Sequence, residues 1–135
     1  MRLMSFEHRG QAGYGIATDN GVIDVGKRLG TRAGTLRAAL AAGALPEIAK
    51  LASSAADFAL GDVTFAPVIP DAGAKVLCVG INYLPHIKEM GREKPNHPVL
   101  FVRFADSLVG HDVPLVKPRA SEQFDYEGEL AVVIG

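Results

Sequence analysis

The chain is short of cysteine, of net charge and of long apolar runs, and each shortage removes a class of function. One cysteine, Cys78, closes no internal disulfide, so nothing points to a stapled, secreted domain. Set in "KVLCVG", it reads as a small buried hydrophobe rather than a reactive thiol. Lys and Arg number 14 against 15 Asp and Glu, a net charge of −1. No basic field argues for a phosphate backbone, and no nucleic-acid partner is expected. No apolar run approaches the roughly 18 residues of a membrane-spanning helix. The opening "MRLMSFEHRG" is mixed and lacks a signal-peptide core. A cytoplasmic location, with no membrane partner, is the expectation. Repeats and low-complexity tracts are absent as well.

What is present has a globular balance, 48% hydrophobic and 21% charged over 135 residues. That is enough for one modest domain or the first part of something larger. "YGIATDNGVIDV" predicts a hairpin, two β-branched runs around Asp19-Asn20-Gly21. "GTLRAALAAG" predicts a short helix capped by Thr35 and stopped at Gly43. "LPEIAKLASSA" predicts another, with Pro46 in its first turn. "GDVTFAPVIP" reads as a strand closed by prolines. Residues 1–70 therefore form a small N-terminal α+β domain without evident chemistry. Its one possible ligand, His8, is expected to face solvent.

"PDAGAKV" reads as a linker, and residues 71–135 have another texture. "KVLCVGINY" is a continuous apolar run, the pattern of a buried strand. "VLFVRF" is a further strand, "DVPLVKP" a short edge-like one, and "FDYEGELAVVIG" a third. His97 and His111 fall in proline- and glycine-rich loops and read as surface residues.

Two constellations carry possible chemistry. In an extended "DYEGELAVV", Glu127 and Glu129 share a face with Asp125 at the mouth of an apolar strand. Two close carboxylates repel as they leave water, and a hard divalent cation such as Mg²⁺, Ca²⁺ or Mn²⁺ relieves this. Gly128 between them leaves room for a ligand. A solvated strand end carrying surface acids is the other reading. In "GINYLPHIKEMG", His86 and Glu89 are three residues apart and share a face of a helical turn. A carboxylate beside an imidazole fixes its tautomer and raises its basicity, as in a general base. An exposed histidine with a casual neighbour is the alternative.

Taken in order, "KVLCVGINYLPHIKEMG", "PVLFVRFADSLVG" and "DYEGELAVVIG" resemble the fumarylacetoacetate hydrolase family over roughly residues 75–135. The resemblance overturns the bland readings of both constellations. It implies that a mixed β-sandwich roll begins in residues 71–135, as part of an enzyme that is usually a homodimer. It implies Mg²⁺ or Mn²⁺ held by three acids, the first two matching Glu127 and Glu129. It implies His86 as catalytic base with Glu89 as its partner, and Tyr83 and Arg103 as substrate-binding residues. The substrates implied are 2-oxo or 1,3-dioxo acids that react through a metal-bound enolate. C–C bond hydrolysis is the leading expectation, with decarboxylation or isomerisation as alternatives.

Three departures qualify the pattern. The third acidic ligand and a usual active-site lysine belong well beyond Glu129, where the sequence has ended. Arg103-Phe104 stands where Lys-Pro is frequent; an arginine fork still suits a carboxylate. Pro85 before His86 is unusual and stiffens the segment. The chain thus reads as the N-terminal piece of a longer enzyme, expected to bind metal poorly alone. The competing function is a catalytically incomplete assembly partner, whose apolar sheet face would take another chain. A plain Ca²⁺ module lacks the loop spacing.

Overall fold

Two tight hairpins build the first sheet. In the computed structural model, which describes residues 1–134, β1 (Arg2–His8) pairs antiparallel with β2 (Gln11–Thr18), from Arg2↔Ala17 to His8↔Gln11. Their loop, Arg9-Gly10, is left-handed at both positions, with φ 51° and 79°; such a loop matches the twist of its strands. β3 (Gly21–Asp24) returns along β2 from Thr18↔Gly21 to Gly15↔Asp24, so the hairpin predicted around Asp19-Asn20-Gly21 forms. Its positive φ falls on Gly21 (134°) and not on Asn20. The Thr18 hydroxyl closes the loop, donating to the Gly21 carbonyl at 2.9 Å. β4 (Thr64–Phe65) pairs with β1, completing the order β3-β2-β1-β4. The strand predicted over "GDVTFAPVIP" shrinks to those two residues. Pro67 and Pro70 cannot donate to a ladder.

Three short helices follow β3. Asp24 caps α1 (Val25–Leu29), its side chain accepting from the Lys27 amide at 2.9 Å. Thr35 caps α2 (Leu36–Ala41) in the same way, through the Ala38 amide, and Gly43 ends it with φ 65°. α3 (Leu45–Lys50) carries Pro46 in its first turn. Both helices predicted here are present.

Strand alternation gives the sheet two apolar faces. Tyr14, Ile16 and Ile23 point into a core with Val25, Ala33, Leu36, Ala39, Ala44 and Ile48. Met4, Phe6 and Val22 point the other way, against Phe58, Val63 and Phe65. His8 departs from expectation: it is half-buried and stacks on Phe58, ring centroids 4.0 Å apart. The ring covers an aromatic face that would otherwise meet water.

Two polar groups in this unit make testable statements. The Tyr14 hydroxyl is buried and has no hydrogen-bond partner among the described residues. Burial pushes its pKa above the ordinary value, and the nearby Asp24 charge adds to this. An orphaned buried hydroxyl costs about 1–3 kcal/mol of desolvation. Tyr14→Phe should therefore stabilise the fold by about 1 kcal/mol in chemical denaturation; a loss of stability would mean that the hydroxyl is satisfied.

Asp57 ties the loop before β4 to the start of α1. Its carboxylate accepts from the Asp24 amide at 2.8 Å and from the Arg28 guanidinium. Partial burial alone would raise its pKa; the Asp24 amide and the Arg28 charge outweigh that and hold it below the usual value. The unfolded carboxyl titrates near ~3.9. The stabilisation is thus complete above about pH 5 and disappears as the pH falls through the lower folded value. Asp57→Asn should cost about 1 kcal/mol at pH 7 and flatten the acid limb of a stability–pH curve. Equal acid limbs in variant and wild type would refute the assignment.

The polypeptide divides into two compact units, Met1–Ile69 with the segment from Val109 onward, and Pro70–Leu108. The second is built on β5 (Val76–Gly80) and β6 (Val99–Arg103), antiparallel from Val76↔Arg103 to Gly80↔Val99. Between them lies α4 (Leu84–Glu89). The fold class is α+β throughout. β5 is not the buried strand that its apolar run predicted: Leu77 is 67% exposed, and on β6 Leu100 is 60% exposed. Among the described residues the sheet has two strands only; Val76, Cys78 and Gly80 on alternate positions of β5 are half-buried, and β6 is exposed throughout.

Two predicted strands do not form. "DVPLVKP" is irregular. So is "FDYEGELAVVIG", whose apolar residues are exposed, Ile134 at 87%. Gly135, the last residue of that predicted strand, lies outside the described residues. A strand must hand its amides and carbonyls to a neighbour, and among the described residues no partner strand meets this segment.

Candidate active site

α4 is set by local chemistry. Pro85 lies in its first turn, where a missing N–H costs nothing. The Ile87 amide donates to the Tyr83 carbonyl at 3.0 Å, and the Met90 amide to the His86 carbonyl at 3.0 Å. Gly91, at φ 62°, ends the helix, and the Arg92 amide turns back to the Ile87 carbonyl at 3.1 Å. No side chain caps the start.

The i,i+3 spacing brings His86 and Glu89 together, Nδ1 to Oε2 at 3.5 Å. That exceeds an ordinary N–H···O length, so the contact is electrostatic. His86 is 40% exposed and Glu89 80%, so the pair adds little to stability. The contact turns Nδ1 of the imidazole toward the carboxylate.

Tyr83 precedes α4 at the N-cap position, partly exposed, and Arg103 ends β6 opposite Val76, also exposed. Glu127 and Glu129 fall in the other compact unit, on the irregular C-terminal segment, both exposed. The shared strand face predicted for them does not exist, because no ladder fixes the alternation. A Cβ at Gly128 would meet nothing within 4 Å, because the segment is open to solvent there. Their oxygens suit a hard divalent cation in type. They do not suffice in number: among the described residues no three His, Cys, Asp or Glu side chains converge.

One feature near the pair has no signal in the sequence. Ile81, between β5 and α4, is left-handed at φ 56°. A β-branched residue in that region is a genuine outlier, costing on the order of 1–3 kcal/mol.

Known proteins resemble this segment. The family model for the C-terminal domain of fumarylacetoacetate hydrolase matches residues 75–135. A human mitochondrial oxaloacetate tautomerase is 50% identical over 76 residues, 55% of this chain and 23% of its own. An oxaloacetate tautomerase of Bacillus subtilis is 40% identical over 81 residues, 58% of this chain and 27% of its own. An uncharacterized protein of Archaeoglobus fulgidus is 43% identical over 68 residues, 50% of this chain and 26% of its own. The chain spans about a quarter of the length of these relatives. Residues 75–135 thus match the C-terminal domain of the fumarylacetoacetate hydrolase family.

Proposed function

We propose that this chain contributes the proton-transfer pair of an enzyme that interconverts keto and enol forms of a 2-oxo or 1,3-dioxo acid. The observation that carries this reading is the His86–Glu89 contact at 3.5 Å, inside the segment that matches the family. His86 would take a proton from the carbon beside the oxo group through Nε2 and deliver it to the enolate oxygen, the reverse transfer giving the keto form. Glu89 would hold the ring and favour its charged form during transfer. Arg103 suits the substrate carboxylate, and Tyr83 suits a polar contact to the same acid. C–C bond hydrolysis passes through the same enolate; the relatives' names favour tautomerisation.

Family enzymes generally depend on a divalent metal, and Mg²⁺ or Mn²⁺ is proposed here, with Glu127 and Glu129 as two of its oxygen donors. When bound, such an ion would supply Lewis acidity toward the oxo group. A homodimer is part of the proposal, supported by the exposed apolar positions of β5 and β6. A cytoplasmic setting is also part of the proposal. No helix among the described residues is long and apolar enough to cross a membrane.

The test is the rate at which enol-oxaloacetate converts to the keto form with the chain and Mg²⁺, compared with His86→Asn. Acceleration that His86→Asn abolishes is expected. A rate equal to that of buffer would overturn the reading.

A further inference from the structure

Ile81 stands three residues before α4 and directly after Gly80, the last residue of β5. Left-handed backbone normally falls on glycine, and a glycine is adjacent. Yet Gly80 is not left-handed, and Ile81 is. The difference is mechanical. Glycine reaches this φ and many others at little cost, whereas a residue with a branched Cβ has a much narrower range of backbone angles. A glycine elbow would let the following helix swing; an isoleucine elbow, once forced into place, does not. The helix it feeds needs such a guide, because α4 has six residues and no capping side chain.

We propose that Ile81 is a positioning residue, a left-handed elbow that fixes the angle at which α4 leaves β5 and hence the direction of the His86–Glu89 pair. The purpose of that direction rests on the proton-transfer reading above; the elbow itself does not.

Amide hydrogen exchange separates the two. The reporters are the amides of Ile87, Met90 and Gly91, which hold α4 and its end. The 135-residue chain would be compared with Ile81→Gly and with Ile81→Asn, since asparagine tolerates the left-handed region. In Ile81→Gly these amides should exchange about tenfold faster, while the β1–β2 amides keep their rates. Ile81→Asn should restore protection to within about threefold of wild type. Turnover of oxaloacetate should fall and recover in parallel, in kcat rather than KM. Unchanged exchange at α4 in Ile81→Gly would overturn the proposal. So would an equal loss across β1 and β2, which marks general destabilisation. Selective loosening of α4 without any turnover in wild type would sustain the elbow and sink the proton-transfer reading.

Discussion

Replacing His86 by asparagine should lower keto–enol turnover by about 10²–10³-fold, with KM little changed. Asparagine keeps a polar group near the position of Nδ1, so contact with Glu89 can persist. It cannot take up a proton near neutral pH, so the chemical step loses its carrier. A fall in kcat with constant KM is the signature of an interaction used in the transition state and not in binding. The fold should not suffer: His86 is 40% exposed, and such surface changes fall within about 0.5 kcal/mol. Glu89→Gln should cost less, about tenfold, because it removes the charge that steadies the imidazolium but leaves the base. Turnover of His86→Asn at the wild-type rate would leave the imidazole without a catalytic role. An equal loss in both variants would make the pair, not the imidazole, the functional unit.

The His86–Glu89 pair was legible because everything that forms it is local. On a helical turn, i,i+3 spacing is enough to put both side chains on one face. The same holds for Thr35 and Gly43 around α2, and for Pro46 in α3. β1 was not legible. "RLMSFEH" lacks clean alternation because the first sheet is apolar on both faces: Leu3 packs toward one core, Met4 and Phe6 toward the other. "FDYEGELAVVIG" shows the opposite failure. Its strand pattern is strong, but a strand is a relation between two segments, and composition reports only one of them. The face-sharing of Glu127 and Glu129 fails with it. Ile81 was invisible for a third reason: local rules place a left-handed residue at Gly80 or Asn82, so a strained isoleucine runs against them.

Ile48→Ala should cost the N-terminal unit about 3–4 kcal/mol. The side chain is fully buried. It projects from α3 into the core that also holds Tyr14, Ile16, Ile23, Val25 and Leu36. Part of the loss is transfer free energy; the rest is the cavity, and its size depends on how far the neighbours relax. Relaxation here is poor. Three members of this core are Ala33, Ala39 and Ala44, whose methyl groups have no rotamer to swing into a hole. Tyr14 cannot tilt into it without carrying its hydroxyl, which has no hydrogen-bond partner among the described residues even now. Ile48→Val, which removes one methylene, should cost about 1 kcal/mol. A domain of this kind has roughly 5–15 kcal/mol in total, so the alanine variant should approach its unfolding midpoint at low urea, while the valine variant stays folded. The check is urea unfolding of both at neutral pH. A cost below about 1 kcal/mol for alanine would mean that α3 is not anchored by this core. A cost in the expected range, with Tyr14→Phe stabilising in the same assay, would place the packing strength of the unit at the junction of α3 with β2 and β3.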